Sequence, residues 1–240
     1  DQTAPVVLVD GVVDGGAYRS PVVPLISITD ANLATSVATL DGTTFVNGTP
    51  VNGEGDHVLV VDATDCAGNA ASREVVFQID DTPPVVTIEA PSCTSAASVQ
   101  PVINVIEANV ATDVRTLDGN PYDGGPVGSE GDHVLLVEVG DRAGNSTSQT
   151  ATFILDRAPP SITVSGVADG AAYTGPVTPL VAFADQHLGV TSLTLNGAPF
   201  VSGTPVSGSG AYVLVATATD CAGNDVSRTV SFQISSAEVQ

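Results

Sequence analysis

Residues 57–69, HVLVVDATDCAGN, join a run of alternating side chains to a turn, and this combination decides the fold. From His57 to Ala63 every second residue is an aromatic or apolar one, so these side chains face one side of an extended strand. Asp65 then begins a turn in which an aspartate accepts backbone N–H groups and Gly68 supplies a positive φ. The stretch predicts a half-buried strand that ends in a tight hairpin.

The same pattern occurs twice more, as HVLLVEVGDRAGN at 133–145 and YVLVATATDCAGN at 212–224. Each copy is followed by a second alternating strand that contains VVFQID, ATFILD or VSFQIS. Each is preceded by an opening TAPVV, TPPVV or APPSI. These repeats predict three units at 1–80, 81–156 and 157–240. Glycine and proline interrupt the pattern every eight to twelve residues or so and no segment has sustained helical spacing, which indicates an all-β chain.

The charge of the chain is one-sided, with 27 acidic residues against 6 basic ones and a formal net charge of -21. Nucleic acid is therefore not expected as a partner, because phosphates are met by clustered lysine and arginine. Two interpretations of the acidic surface stay open, a well-solvated exterior and a set of carboxylates that holds divalent cations. No apolar run approaches 18 residues, so direct membrane insertion is not expected. The first residues lack a basic and an apolar segment, so we expect a secretion signal to be absent or already removed.

Residues that could carry chemistry are few. His57 and His133 occupy a strand position that holds Tyr212 in the third unit, so we interpret them as interior side chains with a hydrogen-bonded polar tip. His187 has no partner that the sequence reveals. No nucleophile-elbow, metal-protease or phosphate-binding motif accompanies these residues. The sequence predicts no enzyme and no catalytic residue, and the absence of tryptophan does not favour a sugar-binding protein.

Several segments resemble bacterial immunoglobulin-like domains that occur in tandem on secreted and cell-surface proteins. They are TPPVV, GVVDGGAY with GVADGAAY, PLISITDAN, TLDGTTF, EGDHVLVV and TDCAGN, and they cover essentially the whole chain. The resemblance implies three tandem immunoglobulin-like β-sandwich domains in a linear, head-to-tail array. It also implies an extracellular or cell-surface location, with neighbouring immunoglobulin-like domains of a longer chain or fibre as partners.

The three cysteines are distributed so that no unit contains two of them. In the resembled fold the turn after the first strand lies near the exit of a domain, and the last hairpin lies near the entrance. The resemblance therefore implies a disulfide between Cys93 of the second unit and Cys221 of the third, with Cys66 unpaired within the chain and awaiting a cysteine in a preceding domain. Two buried or free thiols, a Cys66–Cys93 bridge and an intermolecular bridge stay open as alternatives.

A calcium ion at the first junction is a further implication of the resembled fold, and no other cofactor is expected. Its candidate ligands are oxygen-bearing residues from the linker, a loop and the last hairpin, namely Asp80, Asp81, Glu107, Asn109, Asp141 and Asn145. Calcium takes six to eight such oxygens. No D-x-D-x-D-G loop is present. Arg157 and Gln186 make the second junction the poorer candidate.

The expected function is that of a structural spacer or stalk segment, stiffened by short proline-rich linkers and an interdomain disulfide. One alternative is a self-assembling extracellular fibre subunit, in which a terminal strand completes the sheet of a neighbour. Displacement of the last strand, 229–235, would favour it. A second alternative is an adhesin module that binds a ligand directly, which requires an exposed patch on one unit alone. The second unit diverges most from the other two and is the place to look for such a patch.

Overall fold

The computed structural model describes residues 2–235, and within them the chain is all β, with no helix. Residue 1 and residues 236–240, the outer ends of the first and third predicted domains, lie outside the described residues. Because the described part contains no helix, it offers none that is long and apolar enough to cross a membrane. The strands occur in three sets of seven, one for each repeat.

The strands of the first set are β1 (Val6–Asp10), β2 (Gly16–Tyr18), β3 (Leu25–Thr29), β4 (Leu33–Leu40), β5 (Thr43–Thr44), β6 (Gly55–Asp65) and β7 (Ala70–Ile79). Those of the second set are β8 (Val85–Glu89), β9 (Cys93–Thr94), β10 (Val102–Ile106), β11 (Val110–Leu117), β12 (Asn120–Pro121), β13 (Gly131–Asp141) and β14 (Ser146–Leu155). Those of the third set are β15 (Ser161–Ser165), β16 (Ala171–Tyr173), β17 (Leu180–Ala184), β18 (Leu188–Leu195), β19 (Ala198–Pro199), β20 (Gly210–Asp220) and β21 (Asp225–Ile234).

Each set forms a two-stranded sheet and a five-stranded sheet. In the first set β1 pairs with β3, and the larger sheet has the order β2-β7-β6-β4-β5. The second and third sets repeat this arrangement strand for strand. The second strand of each set runs parallel to the last, as in the register of Gly16 with Phe77 and of Cys93 with Ile154. The start of each repeat therefore passes from one sheet to the other, and the chain is three tandem immunoglobulin-like β-sandwiches.

The alternation seen in the sequence places the core. On β6 and β7 the residues from Leu59 to Ala63 that point inward, together with Val75, Phe77 and Ile79, are all at most 2% exposed. Burial of each large aliphatic or aromatic side chain contributes about 1.5–3 kcal/mol relative to leaving it in water. Each sandwich therefore has apolar residues enough for a core of its own.

The last strand does not show the signature of strand exchange. β21 pairs antiparallel with β20 from Asp225 to Ile234 and parallel with β16. All three strands belong to the third sandwich. The observation that would have favoured a fibre subunit is therefore not present among the described residues.

By contact density the chain divides into two compact units, and the division passes through the second sandwich. One unit comprises residues 1–88, 103–116 and 136–150, and the other comprises 89–102, 117–135 and 151–240. The junction between the first and second sandwiches lies wholly within the first unit, and the junction between the second and third lies within the second. The domain boundaries after residues 80 and 156 stay predictions.

Candidate functional site at the junctions between sandwiches

The hairpin of the Asp-x-Ala-Gly-Asn repeat has the same three hydrogen bonds to its aspartate in the first and third sandwiches, and the two that its asparagine makes recur in the second. In the third, the backbone N–H groups of Ala222 and Asn224 donate to Asp220 Oδ1 at 2.8 and 2.9 Å, and Asn224 Nδ2 donates to Asp220 Oδ2 at 2.7 Å. Gly223 has a φ of 84°, in the left-handed region that a Cβ disfavours. The repeat is thus a self-contained turn that needs no ligand, as the sequence predicted.

The asparagine of the hairpin also holds the linker that precedes its sandwich. Asn145 Nδ2 donates to the backbone carbonyl of Asp80 at 2.8 Å, and Asn224 Nδ2 donates to that of Asp156 at 2.9 Å. Asn145 is 1% exposed. Sequence analysis missed this contact because its two partners are more than 60 residues apart and one of them is a backbone atom.

The position after the hairpin aspartate holds cysteine in the first and third sandwiches and arginine in the second, which is possible because its hydrogen bond does not involve the side chain. The backbone N–H of Cys66 donates to Asn32 O, that of Arg142 to Asn109 O and that of Cys221 to His187 O, at 2.8 to 3.0 Å. The contact uses only main-chain atoms, so the side chain at this position is not required by the hairpin.

A disulfide joins Cys93 and Cys221 at the second junction, with the Cα atoms 5.8 Å apart. Cys93 begins β9, which runs beside the end of β14, and Cys221 lies in the hairpin after β20. This is the pair that the resemblance implied. Cys66, in the equivalent hairpin of the first sandwich, is free and exposed.

His187 is also part of the second junction, contrary to the sequence interpretation that it has no partner. Its Nδ1 lies 3.1 Å from Asp156 Oδ2, and its Nε2 lies 3.1 Å from Asp132 Oδ1. The hydrogen bond to Asp156, opposed by burial and reinforced by Asp132, raises the pKa of His187. The partners are 31 and 55 residues away in sequence, so no local pattern could have identified them.

Arg157, the first residue after the predicted boundary, ties the linker to the second sandwich. Its side chain donates to Glu130 Oε1 at 3.0 Å and to the carbonyls of Ala97 and Gly128 at 2.8 and 3.1 Å. With His187, this arginine supplies the second junction with basic side chains next to its carboxylates.

The first junction contains the six predicted calcium ligands, and most of them are engaged with the protein itself. Asp141 receives two hydrogen bonds from Asn145, while Glu107 Oε1 accepts from the backbone N–H of Asn109 at 2.8 Å. Asp80 Oδ1 accepts from the N–H of Thr82 at 3.1 Å.

The two remaining contacts involve Asp81 and Asn109. Asp81 Oδ1 accepts from the N–H of Ser20 at 3.0 Å, and Asn109 Nδ2 donates to Gln78 Oε1 at 3.0 Å. These six residues are neighbours, but the carboxylates among them are not drawn together as a trio in the described part of the chain.

A closer carboxylate group lies at the second junction, which the sequence analysis made the poorer candidate for calcium. One oxygen from each of Asp156, Asp185 and Asp220 lies within 4.8 Å of the others, and Asp156 and Asp220 are buried. Three hard oxygen ligands of this kind could hold a divalent cation. Calcium binding at either junction stays a prediction.

The two repeated histidines lie inside their sandwiches, as expected. The rings of His57 and His133 lie 5.4 and 5.1 Å from those of Phe77 and Phe153, and Tyr212 stacks on Phe232 at 5.3 Å. All three polar tips face the carbonyl of the residue four positions earlier.

Each repeated histidine also faces an acid. Nδ1 of His57 lies 2.8 Å from Asp41 Oδ2, and Nδ1 of His133 lies 2.8 Å from Asp118 Oδ2. Burial opposes protonation of both rings, but the hydrogen bonds to the carboxylate and the carbonyl outweigh it and raise the pKa of each histidine. In the third sandwich Asn196 stands where Asp41 stands in the first, so the pair is missing there.

Comparison with protein-family profiles and with curated proteins gives no match for this chain. Among solved structures it is similar to a three-domain I-band fragment of titin, at 12% identity and a TM-score of 0.47, over 98% of this chain and 99% of that one. It is also similar to the fibronectin(III)-like modules of Clostridium thermocellum CbhA, at 13% identity and a TM-score of 0.36, over 63% of this chain and 94% of that one. Immunoglobulin domains 1–4 of Sidekick-1 match at 11% identity and a TM-score of 0.40, over 93% of this chain and 74% of that one. The assignment of the fold rests on the strand order of the chain itself.

Proposed function

We propose that this chain is a non-enzymatic, extracellular spacer segment whose tandem sandwiches hold neighbouring domains of a longer protein at a fixed separation. The observation that carries the proposal is the repeated clamp on the linker, made by Asn145 in one junction and Asn224 in the other. A linker that is hydrogen-bonded to the following sandwich has fewer accessible conformations than a free one.

The second junction has additional restraints that suit such a role. The Cys93–Cys221 bridge links two sandwiches covalently, and disulfides persist in oxidising, extracellular surroundings. Pro159 and Pro160 fix two φ angles in the linker. The prolines, the asparagine hydrogen bond and the disulfide together favour a junction that does not bend freely.

Small-angle X-ray scattering of the intact chain tests the proposal. Three sandwiches in line, each about 35–40 Å long, give a radius of gyration of roughly 30 Å. A compact globule of the same length gives about 18 Å. We expect the larger value, with a distance distribution that broadens when a reductant opens the disulfide. A radius near the compact value contradicts a stiff spacer, whereas a distribution that the reductant leaves unchanged shows that the clamp and the prolines restrain the junction without the disulfide.

An adhesin module is the second candidate function, because one observation favours it. The middle sandwich carries Ile106, 71% exposed, where the first and third carry Thr29 and Ala184 at the corresponding end of the strand. At this position, a large aliphatic side chain lies in water on the middle sandwich alone, which is an asymmetry of the kind that the sequence analysis asked for.

A further inference from the structure

An open depression lies at the first junction. It is an open groove of about 670 Å³, and all of its lining residues lie between Glu54 and Asn109 within a single compact unit. The corresponding hollow of the second junction, around Asp156 and His187, measures about 260 Å³. The two junctions are thus built from equivalent segments but leave different amounts of open space.

The floor of the first groove is apolar and exposed. Val85 on β8 and Ile106 on the neighbouring β10 both line it, and they are 51% and 71% exposed. Pro83 from the linker adds to this surface. In the third sandwich the paired residues at the same place are Ser161 and Ala184, which offer little apolar area.

The rim of the first groove is acidic and has no cation of its own. Glu54, Asp80 and Glu107 line it, and no arginine is among the described residues that do so. Arg142 lines an adjoining hollow, which shares two lining residues with the groove, but it does not line the groove itself. The carboxylates of the first groove are therefore not neutralised by residues that line it.

At the second junction, the equivalent carboxylates have basic side chains as partners. There Arg157 pairs with Glu130, and His187 lies between Asp156 and Asp132. The residues that follow the same pattern at the first junction are Asp81 and Asn109, neither of which is cationic. The first junction thus keeps the acidic partners and lacks the cations.

We propose that the first groove binds an extended segment of another protein in which a lysine or arginine flanks an aliphatic side chain. The aliphatic group packs on Val85 and Ile106, and the cation takes the place that Arg157 and His187 hold at the second junction. A second copy of this chain is a poor occupant, because the net charge of -21 opposes self-association. A bare divalent cation would not use the apolar floor. This function goes beyond the spacer role and does not depend on it.

Fluorescence anisotropy with labelled decapeptides of alternating sequence tests the proposal. A lysine–valine peptide has both the positive charge and the aliphatic side chains that the groove is expected to bind. A lysine–serine peptide has only the positive charge, and a glutamate–valine peptide has only the aliphatic side chains. We expect the lysine–valine peptide to bind with one-to-one stoichiometry and at least about tenfold more tightly than either of the others.

Matched variants locate the site. Ile106→Ser should weaken binding of the lysine–valine peptide by about tenfold, whereas Val201→Ser, at an equally exposed valine of the third sandwich, should not. The combination of Asp81→Arg with Asn109→His gives the first junction the basic residues that the second junction has at these positions, and it should also reduce binding. Glu74→Gln, on β7 and outside the groove, removes one negative charge elsewhere and should leave it unchanged.

Three outcomes overturn the proposal. Equal affinity for the lysine–valine and lysine–serine peptides, insensitive to Ile106→Ser, shows non-specific attraction to an acidic protein. Peptide binding that millimolar calcium abolishes through occupation of Asp80 and Glu107 shows that the groove is a cation site. Concentration-dependent dimerisation in sedimentation velocity that Ile106→Ser abolishes shows that a second copy is the occupant.

Discussion

Removal of the disulfide at the second junction should destabilise the third sandwich and leave the first unchanged. The perturbation is the double substitution Cys93→Ser and Cys221→Ser, which removes the bond and preserves the size of the side chains. The bridged residues are 128 positions apart. For complete unfolding of the bridged region, the loop-entropy relation gives a stabilisation of about 5 kcal/mol. If only the third sandwich unfolds, the tethered loop runs from Asp156 to Cys221, roughly 65 residues, and the relation gives about 4 kcal/mol.

These values are upper bounds on the expected loss, because residual structure in the unfolded chain reduces the entropy that the bridge removes. Urea unfolding with hydrogen–deuterium exchange and mass spectrometry resolves the sandwiches, which a chain without tryptophan does not allow by fluorescence. We expect peptides of β20 and β21 to lose protection at lower urea, while those of β6 and β7 do not change. Cys66→Ser is the control, since it removes a free thiol. An unchanged midpoint of the third sandwich relative to that control would refute the reasoning.

Three further predictions concern single contacts. His57→Tyr combined with Asp41→Asn, which gives the first sandwich the residues of the third, should remove a loss of stability that sets in as the pH rises above about 6.5. The pKa of His57 is raised in the folded state, so its contribution is complete below the unfolded pKa of about 6.5 and disappears as pH rises through the folded value. Asn224→Ala should lower the free energy of unfolding of the third sandwich by about 1–3 kcal/mol, because the buried Asp220 carboxylate loses a donor. Gly166→Ala should cost at least about 1–3 kcal/mol, since its φ is 78° and its Cβ would lie 2.0 Å from a backbone carbonyl oxygen.

Each of these changes has its own measurement and control. For the pair of His57 and Asp41, NMR titration of the ring protons reports the pKa of His57 directly. A value at or below 6.5 in the folded chain contradicts the raised pKa. For the clamp, Asn120→Ala removes an exposed hydrogen bond and should be nearly neutral in the same urea assay. For the glycine, Gly170→Ala is the comparison, because its φ is 73° but its Cβ would meet no atom within 4 Å. Equal costs at Gly166 and Gly170 would show that the close approach is not the cause.

The sequence predicted the parts of the structure that depend on near neighbours. Alternation from His57 to Ala63 placed the core strand, and the spacing of Asp65, Gly68 and Asn69 placed the hairpin, because both signals arise within a few residues. The pairing of Cys93 with Cys221 needed the topology of the resembled fold in addition, since its partners are 128 residues apart.

The sequence did not predict the contacts between distant residues, and it did not predict the exposed patches. His187 seemed isolated because Asp132 and Asp156 reach it only through the tertiary arrangement of the junction. Ile106 follows Val105 directly and so lies on the outward face of β10, but the sequence alone does not show whether another segment covers a side chain on that face, and Ile106 is 71% exposed. The acidic residues of the first junction were identified, but the groove brings together residues from Glu54 to Asn109, and spacing along the sequence does not show that arrangement.

The clamp by Asn145 and Asn224 has a consequence for how such chains can be rearranged. Each asparagine donates a hydrogen bond to a main-chain carbonyl, a group that every amino acid possesses. The residue that offers this carbonyl can therefore be exchanged without loss of the contact, and a sandwich with this hairpin can follow a predecessor of unrelated sequence. Recombination of whole sandwiches, in any order and number, would preserve this part of the connection between them.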